Sequence, residues 1–175
     1  MPVFFTAAIL LLGIFTSAFS QSRPLVPGGF QVPEKHEGDH FRIRTLIAHD
    51  VVDDHSNSLQ GSDPYYGLQI PALDMPVNDF PTQEDIWGYS NFQKRFQKKS
   101  SFNYPVVSRE TGKLIGFVYI NHSRNPEHDA EVTWWLRTND PEGELYQSLS
   151  ETLKDWLTNE WPFKNPSFIG QAIPL

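Results

Sequence analysis

The order of strand-like and helix-like segments in the second half of the chain constrains the fold more than any other feature. Two strand-like runs, residues 103–108 and 114–121, flank the turn-forming residues 110–113. Gly112 in that turn suits the left-handed position of a hairpin. Residues 130–137 read as a third strand. The pattern predicts three strands with a hairpin between the first two.

A long amphipathic helix follows these strands. Leucine and tryptophan recur at helical spacing from residue 145, and Trp161 and Pro162 end the pattern. Residues 165–173 then read as a final strand. The apolar stripe of the predicted helix, which spans residues 140–161, consists of Leu145, Leu149, Leu153, Trp156 and Leu157.

The N-terminal half adds one strand and two helices to the prediction. Residues 41–46 alternate apolar and polar side chains, which predicts a half-buried strand. Residues 48–59 favour a short helix, and 57–81 are mostly loop. A capping box of Thr82 and Asp85 precedes apolar residues at helical spacing, which predicts a second helix. The predicted order is β-α-α-β-β-β-α-β, an α/β fold.

Composition bounds the chemistry that the chain can carry. The 175 residues suit one domain, and the absence of cysteine excludes disulfide scaffolds, thiolate metal sites and cysteine nucleophiles. A net charge of -7 and a pI of about 5.3 argue against a general nucleic-acid binder. Aromatic residues make up 14% of the chain, which predicts a core rich in large rings.

The N-terminus carries a segment typical of targeting. Residues 2–19 are uncharged and apolar, and Ala18 and Ser20 supply small residues before a cleavage point. We expect residues 1–20 to be a signal peptide that exports the protein to the periplasm or the medium. The alternative is an uncleaved membrane anchor, because about 18 apolar residues can just span a bilayer. Residues 21–39 read as a Pro/Gly-rich linker or extended arm, and 40–175 as the folded domain.

One short motif matches a metalloprotease pattern. His36, Glu37 and His40 fit H-E-x-x-H, which binds zinc only when both histidines share one face of a stable helix. Gly38 inside the motif and the strand predicted directly after it oppose a helix there. We therefore interpret the motif as a solvated turn and expect no metal.

Three segments together resemble the GNAT N-acetyltransferase superfamily. They are LIGFVYI at 114–120, AEVTWWLR at 130–137 and LKDWL at 153–157, and they occur in the element order given above. The ending with Trp156-Leu157 and Trp161-Pro162-Phe163 is similar to that of an uncharacterised bacterial GNAT-like subgroup. The resemblance covers about residues 41–173. It implies a mixed, mostly antiparallel central sheet with helices on both faces, C-terminally short, in which splayed middle strands form a cleft.

The resemblance also implies an activity and a set of site residues. The activity is transfer of an acetyl group from acetyl-coenzyme A to an amine, here of unknown identity. Glu131 would act as general base, and the strand after it would lie beside the pantetheine arm. The loop and helix start that follow would hold the pyrophosphate. The implied cofactor-binding residues are Trp135, Leu136, Arg137, Thr138, Asn139, Gly143, Glu144 and Leu145.

A second hypothesis stays open beside the enzyme. The phosphate loop typical of the family has the pattern [Q/R]-x-x-G-x-[G/A], whereas residues 137–144 contain one glycine. Asp140 is predicted to cap the helix, with Pro141 as its first residue and two glutamates in its first turn, Glu142 and Glu144. This acidic start, the short C-terminus and the export leader favour a catalytically silent GNAT-fold module that binds a ligand or a protein.

Overall fold

A six-stranded sheet forms the centre of the protein. In this computed structural model the described residues are 23–47, 50, 83–138, 140 and 142–173. The strands are β1 (Lys35–Glu37), β2 (Phe41–Arg44), β3 (Phe102–Ser108), β4 (Leu114–Asn121), β5 (Glu131–Arg137) and β6 (Ser167–Ile173). Helix α1 (Gln83–Gln97) connects β2 to β3, and helix α2 (Glu144–Glu160) connects β5 to β6.

The strands lie side by side in chain order, and only the last pair is parallel. Each of the first four connections reverses the chain, so β1 to β5 form an antiparallel meander. Parallel strands need a crossover, and α2 supplies it between β5 and β6. The mixed, mostly antiparallel sheet that the sequence predicts is therefore confirmed.

In the described part of the chain, one helix packs on each face of the sheet. On one face, α2 buries Leu149, Leu153 and Trp156 against side chains from β2 to β5. On the other face, Tyr89 and Phe92 of α1 pack against a smaller buried cluster. That cluster consists of Leu46, Leu114, Phe117 and Trp135. Helices on both faces are thus confirmed.

Aromatic rings dominate the core beneath α2, as the composition predicts. Tyr104 and Phe102 on β3 are fully buried and meet Trp161, which follows α2, edge to face. Trp156 contacts Tyr104 and Trp161 with ring centroids 5.3 and 5.6 Å apart. Edge-to-face pairs of this kind contribute about 0.5–1.5 kcal/mol beyond the area they bury.

The Pro/Gly-rich segment before the sheet lies against the domain as an extended arm. Val26 is only 3% exposed and belongs to the main core cluster. The Lys99 ammonium donates to the carbonyl oxygens of Gly28 and Phe30, at 2.6 and 2.7 Å. The Tyr104 hydroxyl donates to the carbonyl oxygen of Pro33. Of the two alternatives that the sequence left open for this segment, the arm matches the structure.

Two local expectations require correction. Strand β1 occupies residues that the sequence assigned to the linker, because a three-residue edge strand is too short to produce a periodic signal. Strands β5 and β6 do not splay: they pair continuously from Glu131↔Ser167 to Arg137↔Ile173. The predicted leader, the short helix at 48–59 and the loop at 57–81 lie outside the described residues, apart from Asp50. Neither of the two helices described above is long and apolar enough to cross a membrane.

Candidate functional site

The loop between β5 and α2 lies at one end of the sheet's strands, which we call the upper end. Strand β5 ends at Arg137, and α2 begins at Glu144. The turns between β1 and β2 and between β3 and β4 lie at the same end of the sheet, because those strands are antiparallel neighbours. Most of the implied cofactor-binding residues therefore lie at the upper end of the sheet, namely Arg137, Thr138, Gly143, Glu144 and Leu145. Asn139, also predicted here, lies outside the described residues.

The start of α2 differs from the prediction. Gly143 is the N-cap, and no side chain caps the helix. Asp140 instead accepts a hydrogen bond from the backbone N–H of Glu142 at 3.2 Å, within the loop itself. A Cβ on residue 143 would lie closer than 3.0 Å to the Asp140 carboxyl group, so a larger residue here would require that side chain to move. The helix starts later than predicted because the Asp140 side chain closes a turn before the helix begins.

The charges around this helix start are mixed. Glu144 lies in the first turn and Glu142 just before it, and both side chains are exposed. The Arg137 guanidinium stacks over the Trp135 ring, with its central carbon 5.5 Å from the ring centroid. One guanidinium nitrogen of Arg137, Nη2, is buried and has no hydrogen-bond partner among the described residues. The start of α2 thus has backbone N–H groups without a side-chain cap and two exposed carboxylates near them, whereas Arg137 holds its donor against Trp135 on the α1 side of the sheet.

The remaining predicted residues lie along β5. Trp135 and Leu136 are both fully buried, on opposite faces of the sheet. Glu131 is half-buried at the start of the strand, where it pairs with Asn121 and Ser167. Six residues of extended chain separate it from Arg137, which corresponds to about 20 Å. The structure therefore places the described loop and helix residues of the predicted set at one end of the sheet, separates Trp135 and Leu136 onto its two faces, and leaves Glu131 at the opposite end of the strand.

The α2 side of the β5–β6 pair is filled by side chains. Gly170 on β6 pairs with Trp134, and a Cβ there would lie closer than 3.0 Å to the Trp134 ring and to the Tyr146 hydroxyl. Burial raises the pKa of Tyr146, so its hydroxyl stays protonated at neutral pH. The Trp134 indole N–H is buried without an acceptor among the residues described.

A cavity of about 420 Å³ adjoins the start of α2. The imidazole of His40 and the carboxylate of Glu144 approach to 3.4 Å across it. The sequence alone does not predict that these lining residues form one site, because they come from three segments far apart in the chain, 39–40, 108–115 and 144–145. Apart from Glu144, they are Asp39, His40, Ser108, Arg109, Glu110, Ile115 and Leu145.

The two histidines of the H-E-x-x-H motif point to different partners. His36 lies in β1 and approaches Glu160 to 3.4 Å, whereas His40 approaches Glu144. The two glutamates are sixteen residues apart on α2, which corresponds to about 24 Å. The motif is in a strand and a turn, so it lacks the helix that a zincin site requires. Within the described ranges, no group of three potential metal ligands comes together.

The site residues fit a diphosphate group in part. The uncapped start of α2 and the unsatisfied Arg137 nitrogen are suitable donors for an anion. Glu142 and Glu144 oppose it, because their carboxylates repel the like charge of a diphosphate. Entry of a pantetheine arm between β5 and β6 would require the upper pairs, Leu136↔Ala172 and Arg137↔Ile173, to separate.

Comparison with known proteins identifies the fold. No protein-family model and no curated protein matches the sequence. Among solved structures, a probable acetyltransferase superposes with a TM-score of 0.54 at 12% identity, over 77% of this chain and 72% of that one. FdhC, a nucleotide-linked sugar GNAT, has a TM-score of 0.50 at 13% identity, over 78% and 72%. An acetyltransferase from Agrobacterium tumefaciens has a TM-score of 0.46 at 19% identity, over 74% and 69%.

The superpositions with TM-scores of 0.54 and 0.50 carry the assignment of the fold. The chain spans about two thirds of the length of the structures that it matches, and 64% in one case. At such low identity the likeness concerns the fold and not the activity. The chain has the GNAT fold.

Proposed function

We propose that this GNAT-fold chain is an N-acetyltransferase that uses acetyl-coenzyme A and an amine acceptor. The observation that carries the proposal is the uncapped start of α2 directly after β5, in a chain with this fold. Free N–H groups at a helix start attract a diphosphate. Bound acetyl-coenzyme A would supply an activated acyl group as a thioester.

Different residues along β5 and the loop after it would bind the cofactor and accept the proton. The start of α2, with Gly143, Glu144 and Leu145, would hold the diphosphate through backbone N–H groups, and Arg137 would add its free Nη2 donor. Thr138 and Asn139 belong to the same loop. Trp135 and Leu136 would line the arm of the cofactor once the upper β5–β6 pairs separate. Glu131 would accept a proton from the attacking amine, directly or through water.

Calorimetric titration of acetyl-coenzyme A tests the binding half of this proposal. We expect micromolar binding by the wild type, and binding several-fold tighter in the variant Glu142→Gln/Glu144→Gln, because two opposing charges are removed. The variant Glu151→Gln/Asp155→Asn makes the same change of charge farther along α2 and should bind like the wild type. No heat of binding from any of the three proteins would refute the proposal.

Steady-state kinetics test the catalytic half. Glu131→Gln should lower the turnover of an amine substrate by about 10²–10⁴-fold, as expected for loss of a general base. Its affinity for acetyl-coenzyme A should not change, because Glu131 lies at the far end of β5. The exposed Glu127 provides a matched control as Glu127→Gln. Equal turnover in the two variants would remove Glu131 from the mechanism.

A second function is a catalytically silent binding module with the same fold. The continuous pairing of β5 with β6 favours it, because a cleft between these strands is closed. It predicts no acetyl transfer against a broad panel of amines, even if coenzyme A binds. We also propose that residues 1–20 direct export. N-terminal sequencing of the protein released by the producing cell should then begin at Gln21.

A further inference from the structure

The two edges of the central sheet differ in how well they are protected. The edge formed by β1 is three residues long and carries Lys35 and Glu37. The edge formed by β6 is seven residues long, Ser167–Ile173, with no charged residue and no proline. Natural sheets shield exposed edges with charges, prolines, bulges or short strands, because unpaired N–H and C=O groups bind other strands. The β6 edge has none of these protections within its described length.

The middle of β6 is also apolar and open to solvent. Ile169 is 50% exposed, and the neighbouring Gly170 and Gln171 are exposed as well. Among the described residues, only Ile47 is a comparably exposed large hydrophobic side chain, at 46%. Strand β6 therefore combines an outer edge that pairs with no described strand and an exposed isoleucine at one place.

We propose that β6 pairs antiparallel with β6 of a second copy of this chain, extending both sheets into one. A two-fold axis at Gly170 pairs all seven residues, and it places Ile169 opposite Gln171 of the other copy. The chain carries a net charge of -7, so two copies repel each other overall, whereas the seven residues of β6 add no charge at the contact. The uncharged β6 edge is self-complementary and avoids this repulsion, which favours a second copy over a charged partner.

Sedimentation equilibrium of the full chain tests the proposal. We expect twice the mass of one chain for the wild type and the mass of one chain for Ile169→Lys, which places two like charges beside the axis. Ile47→Lys is the matched control and should retain the doubled mass. A single-chain mass for the wild type, or a doubled mass for both variants, would overturn the proposal.

Cross-linking tests the register without depending on the lysine variant. The chain has no cysteine, so introduced thiols report only their own contacts. Directly opposed residues of antiparallel strands have Cβ atoms about 5 Å apart, whereas diagonal neighbours are about 7–8 Å apart. Disulfide geometry admits the first distance and not the second.

Mild oxidation should therefore give a disulfide-linked dimer of Ile169→Cys/Gln171→Cys. Neither single variant should give a cross-linked dimer, because the introduced thiol then lies diagonally across from the same thiol of the other copy, about 7–8 Å away. Ile47→Cys controls for random collision between exposed thiols. A doubled mass without cross-linking in the double variant would place the contact elsewhere and refute this pairing, as would equal cross-linking in the control.

Discussion

Removing the Tyr104 hydroxyl provides a sharp test of how the N-terminal arm is held. Tyr104 is fully buried, and its hydroxyl donates to the Pro33 carbonyl oxygen at 2.7 Å. Tyr104→Phe keeps the ring contacts with Trp156 and Phe96 but leaves the carbonyl without its donor. A buried hydrogen bond of this kind contributes about 1–2 kcal/mol when its partner stays behind. For a domain of this size, that lowers the midpoint of thermal unfolding by roughly 3–8 °C.

The same residue gives the effect a pH dependence of known sign. Burial, and secondly the Glu34 carboxylate, raise the pKa of Tyr104 far above its ordinary value. The folded state therefore keeps the phenol protonated, while the unfolded chain ionises above about pH 10. The stabilising contribution is complete below that pH and is lost as the pH rises further, by about 1.4 kcal/mol per pH unit.

Urea unfolding of the wild type and of Tyr104→Phe at several pH values measures both effects. The difference in free energy of unfolding should be constant up to about pH 9 and should shrink above about pH 10. Tyr146→Phe serves as the control for loss of a hydroxyl, because that hydroxyl has no hydrogen-bond partner in the described part of the chain. A difference below about 0.3 kcal/mol at neutral pH, or one that stays flat through the alkaline range, would refute the reasoning.

Three further substitutions test the packing. Val26→Ala should lower the free energy of unfolding by about 2 kcal/mol in urea titrations, through lost apolar burial and the cavity left behind; no change would mean that the arm is not part of the core. Gly116→Ala should cost about 1–3 kcal/mol, because a Cβ there would collide with the Trp135 carbonyl oxygen. Gly88→Ala, on α1 with open space around it, should instead raise stability by up to about 1 kcal/mol, and thermal unfolding of the two alanine variants should shift in opposite directions.

Local patterns predicted most of the elements correctly. The hairpin between β3 and β4 turns at Gly112, whose φ is +69°, and β4 has the bounds that the sequence predicted. Helix α2 buries four of the five residues of the predicted stripe, Leu149, Leu153, Trp156 and Leu157, and Leu145 is partly buried. These features depend on side chains within one turn or one strand of each other, so the order of residues contains the information. The resemblance to the GNAT superfamily rested on the same segments, and the fold confirms it.

The candidate site was less predictable, because its geometry depends on contacts between distant segments. Asp140 was a sound N-cap candidate by residue type, but its side chain closes a turn with Glu142 and leaves Gly143 at the helix start. His40 contacts Glu144 only because the β1–β2 turn and the start of α2 lie at the same end of the sheet.

The sequence by itself determined the class of strands β2 to β6 and of helices α1 and α2, the aromatic core and the α/β order; it missed only β1 among the described elements. The tertiary structure decided three things: whether the arm packs onto the core, whether β5 and β6 stay paired, and which charges surround the start of α2. The physical reason is the distance along the chain over which each kind of interaction acts. Periodicity and turn chemistry act over a few residues, whereas packing depends on which surfaces meet once the whole sheet has formed.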